Sequence, residues 1–329
     1  MQSTSRLVRA LAALAGLALS LLGAPAHAAG ASYPALFVFG DSLVDVGNDL
    51  ILSTRLGFTP AIPPSTSPHR TYMQGRFSNG PVAPEHLWQR LSGHAPGSAK
   101  ALKPALALTR VGAGQSVDFA FGGAGTGLTT RIPLGIRVPS LLGQVAAFQA
   151  FRIVAKVAGP ALYLIAVGSN DYLFADVNGA ITPAESVGNI DKAIRQLHAL
   201  GARNFLVVNV PDLGSLPLVA PSPGLSSLAA EHNSLLASML QGLRGTLRDA
   251  RITAFDLRAA QSAVLPTMDP TPALELVQPG ASACLFVNPA SCPDVPDFGV
   301  GTGHFYWDLE HPTSDTHRRL GDLLYEALR

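Results

Sequence analysis

A serine hydroxyl stands just beyond the apolar run Leu36-Phe37-Val38-Phe39, in Gly40-Asp41-Ser42-Leu43. Such a run, broken by a glycine, reads as a buried parallel strand turning toward a helix, and open α/β sheets carry their sites at that strand edge. Asp and Ser also cap helices, so the tetrapeptide by itself is equally a helix start. A nucleophilic serine needs a base for its proton, an acid that holds the base in the right tautomer, and donors for the oxyanion. His311 is a candidate base, and Asp308, three residues earlier on the same segment, can reach its other ring nitrogen. A second apolar run ends in Gly168-Ser169-Asn170-Asp171, and the glycine pair Gly122-Gly123 follows a third.

Taken in order, these blocks resemble the GDSL esterase/lipase family within the SGNH hydrolases, in its lipase-like branch. The blocks are Gly40-Asp41-Ser42-Leu43 with Asp45 and Gly47-Asn48 behind it, the glycine block, Gly-x-Asn-Asp and Asp-x-x-His-Pro. Each is weak alone, and four in register from about Leu36 to the C-terminus are a strong signal. The resemblance implies an α/β fold, a three-layer α/β/α sandwich with a central parallel sheet of flavodoxin-like order. It also implies hydrolysis of carboxylic esters through an acyl-enzyme on Ser42, with His311 as base and Asp308 as its partner. For the oxyanion hole it implies the backbone N–H of Ser42, a backbone N–H from the glycine block and the Asn170 amide. Spacing selects Gly123, and Gly122 is exchangeable with it. Trp307 and Pro312 flank the pair as the family's Trp-Asp-x-x-His-Pro-Thr pattern requires. His69, His86, His94, His198, His232, His304 and His317 match no block, and most are expected on the surface or on helix faces.

Gly75-Arg76-Phe77-Ser78-Asn79-Gly80-Pro81 also matches the family, as framework beside the nucleophile loop. Arg76 there either binds a substrate carboxylate or phosphate or pins a loop through backbone carbonyls. Two positions depart from the pattern. Asp118 replaces the usual asparagine before Phe-Ala, altering a hydrogen bond, and Ala83 replaces a frequent tryptophan, which would widen the pocket. Lipid or short-to-medium acyl esters are the expected substrates. The alternative is an acyltransferase, in which an alcohol captures the same acyl-enzyme, and outside enzymes a secreted binding protein would require a broken triad. No cofactor and no metal are expected. Gly-x-Ser-x-Gly is absent, since Gly280-Ala281-Ser282-Ala283-Cys284 lacks the final glycine, and neither His-Glu-x-x-His nor a Walker loop occurs.

Five strand-like runs are expected, at Leu36 to Phe39, Val117 to Phe121, Ala161 to Val167, Asn204 to Val210 and Arg251 to Leu257. Helix-like stretches run from Pro81 to Leu91, Pro139 to Val157, Pro183 to Leu200, Ser226 to Arg248 and His317 to Leu328. Strands alternating with helices mean a parallel sheet covered on both faces. Glycine and proline cluster at 59–67, 112–114 and 122–135, marking loops at the site edge. Ile62, Leu134, Ile136 and Val138 give two of these loops apolar tips that suit either an acyl chain or ordinary packing.

The N-terminus carries Arg6 and Arg9, an apolar stretch from Leu11 to Leu22, and Ala26-His27-Ala28. This pattern is that of a secretory signal peptide over residues 1–28, too short in its apolar core to anchor comfortably in a bilayer. Residues 29–329 then form one expected domain, secreted or periplasmic. Some members of the family carry a C-terminal outer-membrane barrel, and none is expected beyond Arg329. A formal net charge of +1 without charge runs argues against a nucleic-acid partner. Cys284 and Cys292 are the only cysteines, and in an exported chain an even count reads as one disulfide, two free thiols being the alternative.

Overall fold

The computed structural model describes residues 33–108, 114–132, 135–154, 160–219 and 221–329. The leader expected over residues 1–28, Gly112 and Leu134 lie outside them. In chain order the strands are β1 (Leu36–Gly40), β2 (Lys103–Pro104), β3 (Val117–Asp118), β4 (Thr129–Arg131), β5 (Arg137–Pro139), β6 (Leu162–Ala166), β7 (Asn204–Val208) and β8 (Arg251–Phe255). Six of them form one sheet in the order β2-β3-β1-β6-β7-β8, every neighbouring pair parallel, while β4 and β5 make an antiparallel hairpin. The five expected strands thus stand in the flavodoxin-like order, with β1 interior. Helices of eight residues or more are α1 (Asn48–Arg55), α2 (Ala83–Ser92), α3 (Leu141–Val154), α4 (Pro183–Ala199), α5 (Pro223–Thr246), α6 (Leu257–Val264) and α7 (Ser314–Ala327).

Why β1 is interior follows from its residues. Phe37 and Phe39 point into one apolar layer with Phe119, which directly follows β3, and with Phe148, Ile190, Ile194 and Leu236 from α3, α4 and α5. Leu36 and Val38 point into the other, with Leu87, Leu320 and Leu324 from α2 and α7. A strand with no polar face can sit only where helices cover both sides. Each fully buried Leu or Phe of these layers stabilises the fold by roughly 1.5–3 kcal/mol.

Two elements depart from the sequence pattern for identifiable reasons. Helix α1 buries Asn48, Asp49 and Ser53 rather than an apolar stripe, so periodicity could not reveal it. Strand β8 stops at Phe255 because Asp256 caps α6, its side chain accepting from Ala259 N at 3.0 Å.

The sulfurs of Cys284 and Cys292 are bonded, closing a loop with a sequence separation of 8. Within it the helical turn Cys284–Val287 presents Leu285 and Phe286 to the neighbouring cleft. Closing so short a loop removes unfolded-state entropy worth about 2 to 3 kcal/mol. Reduction should therefore lower the melting temperature without abolishing folding. Mass mapping of unreduced protein should find the linked peptide, and two free thiols would refute the bridge.

Candidate active site

The nucleophile candidate is positioned by the end of β1. A Cβ at Gly40 would lie 2.2 Å from the Ala166 carbonyl oxygen of β6, so only glycine allows the two strands to stay paired up to the turn. Gln144 of α3 satisfies the strand end from both sides: Gly40 N–H donates to its Oε1 at 2.9 Å, and its Nε2 donates to Gly40 O at 2.8 Å. The chain then turns, Asp41 Oδ1 accepting from Leu43 N at 3.1 Å, and carries Ser42 into a cleft. Ser42 is 5 % exposed.

His311 and Asp308 sit on the turn before α7. Asp308 Oδ1 accepts from Glu310 N (2.8 Å) and His311 N (2.7 Å), and Oδ2 lies 2.8 Å from His311 Nδ1. Trp307 N donates to His311 O at 2.7 Å, closing the turn on itself. The block from Gly75 to Pro81 holds it from outside. Ser78 Oγ donates to Pro312 O at 2.9 Å, and Asn79 Oδ1 accepts from Ser314 N at 2.8 Å. Arg76 does not line the cleft. Its guanidinium makes a two-pronged pair with Glu85 at 2.8 and 2.7 Å and donates to Gln74 O, which answers the question its motif posed in favour of framework.

The remaining two blocks are stapled together. Asp171 accepts from Thr126 N (3.0 Å), Thr126 Oγ1 (2.7 Å) and Ser186 Oγ (2.6 Å), tying the glycine block to the Asn170–Leu173 turn and to α4. Asn170 Nδ2 donates one hydrogen to Ala124 O at 3.0 Å, which orients the amide and leaves its second hydrogen available. Gly123 has φ +75, and a Cβ there would fall 2.3 Å from Ile132 Cγ2. The Gly122 N–H faces the Asp45 and Asp49 carboxyls, lowering pKa values that burial raises. Of the two exchangeable glycines, Gly123 is thus the one whose amide is not committed to a carboxyl.

Ser42, Gly122, Gly123, Asn170 and His311 line one cleft of about 310 Å³, walled by Ile62, Phe77, Ile132, Phe174 and Phe286. Asp308 lies behind His311, fully buried. Of the apolar loop tips, Ile62 reaches the cleft, whereas Ile136 and Val138 pack beneath it with Phe121 and Ala124. A smaller cavity of about 70 Å³ lies behind Ser42, and Ala83 lines that one, so the room its small side chain leaves is not in the cleft. Asp118 replaces its asparagine without loss, accepting from Val46 N and Ala120 N at 2.8 Å each.

Electrostatically the site is acid-rich. Burial pushes Asp41 up to about 7 and raises Glu310 as well. For His311 burial acts downward, but the charge and hydrogen bond of Asp308, with Glu310 and Asp41, outweigh it and hold the imidazole at about 9. Two other histidines are not surface residues: His232 and His317 are buried, and burial depresses them to about 4 and about 3, so they stay neutral. His304 bonds Thr271 O and stays out of the cleft. Among the described residues no group of His, Cys, Asp and Glu is arranged to hold a metal ion, and no helix is long and apolar enough to cross a membrane.

Sequence reasoning missed Tyr72. Its hydroxyl donates to Asp308 Oδ2 at 2.7 Å from a fully buried position 236 residues away in sequence. Nothing in the chain near Tyr72 signals this. Gln144 and Thr126 were equally invisible, being ordinary polar residues on a helix and in a glycine-rich loop.

The chain is similar to several known proteins. A GDSL lipase from Tanacetum cinerariifolium is 27 % identical over 324 residues, covering 89 % of this chain and 84 % of its own length. A GDSL esterase/lipase from Arabidopsis thaliana is 28 % identical, covering 92 % of this chain and 90 % of its own. Among solved structures, a member of the lipolytic protein G-D-S-L family from Veillonella parvula aligns over 88 % of this chain and 96 % of its own, at 10 % identity and a TM-score of 0.42. The family model described as GDSL-like lipase/acylhydrolase spans residues 36–324, from the first residue of β1 into the last helix, and the chain belongs to that family.

Proposed function

We propose that this chain, a carboxylic ester hydrolase of the GDSL family, works through an acyl-enzyme on Ser42, with His311 as general base and Asp308 as its orienting acid. The observation that carries the reading is the shared cleft. Ser42, Gly123, Asn170 and His311 meet on one wall, while Asp308 bonds His311 Nδ1 from behind and leaves Nε2 to receive the serine proton. Attack on the ester carbonyl then develops a negative oxygen, met by the N–H groups of Ser42 and Gly123 and the second Asn170 hydrogen. Collapse expels the alcohol with the proton held on His311, and water repeats the sequence to release the acid. Residues 29–329 act as one domain after export to the periplasm or medium, the signal peptide being removed after Ala28. The apolar cleft supports lipid or short-to-medium acyl esters as substrates. The acyltransferase alternative is separated by product analysis with added glycerol.

Ser42→Ala should abolish ester turnover with the fold retained, and a fluorophosphonate probe should label the wild type at Ser42. Labelling at Ser169 or Ser282 would overturn the assignment.

Asn170→Ala should lower kcat by roughly 10² to 10³ with a smaller change in KM, as for a contact strengthened in the transition state. An unchanged kcat would move the oxyanion donor elsewhere.

The pH profile follows from His311. The base form is the deprotonated one, and its pKa is raised from 6.5 to about 9, so kcat/KM should climb with pH and approach half its maximum toward about 9. Turnover is lost as the pH falls below that value. A half-maximal point at 6.5 or lower would contradict the proposed environment of His311.

A further inference from the structure

We infer that the cleft selects esters by charge, favouring those that carry an ammonium group over neutral isosteres and disfavouring anionic ones. The inference rests on the serine-hydrolase reading above and names the substrate class of that same site.

Apart from His311, the charged side chains on the cleft wall are all acids: Asp49, Asp176 and Glu310. Among the described residues no lysine or arginine lines it. Arg76, the buried cation nearby, is committed to Glu85 and Gln74 O. Arg131 and Arg137 pair across the β4–β5 hairpin on its exposed side and do not reach the wall. Apart from the His311 imidazolium at the reacting end, an anionic substrate group would therefore meet carboxyls and no lysine or arginine among the described residues, and a like-charge contact is an effective device for rejecting a wrong substrate.

The acids are also placed to act. Glu310 lines both the cleft and the cavity behind Ser42, so it stands beside the reacting serine, and no described donor holds its carboxyl. Asp49 is 3 % exposed, and beyond the Gly122 N–H that faces it neither of its carboxyl oxygens has a hydrogen-bond donor. A carboxyl buried as Asp49 is, with so few donors, is normally costly. A cation entering the cleft would relieve that cost.

The rest of the wall suits the same group. Phe77 and Phe286 flank His311 with ring centroids 5.1 and 6.1 Å from the imidazole, and Phe174 lies on the same wall. Aromatic faces attract an ammonium group through the ring quadrupole, more strongly out of water. A quaternary ammonium asks for no hydrogen-bond acceptor. Phenyl faces with carboxyls among them are what its chemistry requires.

The test is a set of three butyrate esters of nearly equal shape: of choline (cationic), of 3,3-dimethylbutanol (neutral) and of 2-hydroxyethanesulfonate (anionic). Wild-type kcat/KM should fall in that order, with a span on the order of tenfold or more between the ends. Glu310→Gln should compress the cationic-to-anionic ratio several-fold, and a ratio cancels any general effect on His311. Should Glu310→Gln not fold, Asp176→Asn at the exposed rim and rising salt on the wild type should each compress the same ratio. Equal turnover of all three esters would sink the charge inference and leave the hydrolase assignment standing. No turnover of any of the three by folded enzyme would remove both.

Discussion

The Asp308 carboxylate is the point on which the site depends. It is fully withdrawn from water, and it is held by Tyr72 Oη, His311 Nδ1 and the backbone amides of Glu310 and His311, all within 2.8 Å. A buried charge is tolerated only when its partners are all in place, and deleting one partner costs more than the pair itself contributes. The geometry of the turn follows from that requirement. Two of the donors are backbone amides of the turn itself, so satisfying the carboxylate also sets the direction in which the imidazole leaves it. The cost of burial is offset by a base whose tautomer and orientation are decided before any substrate arrives.

The second constraint is that each block is supported by a neighbour rather than by itself. Ser78 and Asn79 hold the histidine turn, Asp171 holds the glycine block, and Gln144 completes the backbone pairing at the end of β1. These supports come from loops and from helices packed on the sheet, and Gln144 acts at the C-terminal edge of β1. Strands end there with unpaired carbonyls and amides, so side chains must finish the pairing. The same side chains then determine where Ser42 and Asn170 stand. At Ser42, precision is thus partly a by-product of satisfying the end of β1.

His311 illustrates how the surroundings adjust chemistry. Burial alone would favour the neutral ring, and Asp308, Glu310 and Asp41 together reverse the sign. Glu310 also lines the cleft, so this one carboxyl enters both the proton affinity of the base and the potential that a substrate meets.

What the amino-acid sequence determined by itself was the chemistry and the frame. The frame came from double-faced apolar strands that only a covered parallel sheet can hold, and the chemistry from four blocks, each weak alone, whose order resembles one family. The five principal strands, the layer arrangement and the residues that meet in the cleft were legible from those signals. Helix α1 was not, because its buried face is polar, and the β4–β5 hairpin was not, because three-residue strands have no period to read. Only the tertiary structure decided which partners complete the site. Tyr72 reaches Asp308 across 236 positions of sequence, Arg76 spends its charge on Glu85, and Gly122 turns its amide toward Asp45 and Asp49 while Gly123 does not. Each is settled by distances between segments remote in the chain. A hydrogen bond of that kind depends on where two backbones pass each other, and no local pattern encodes it.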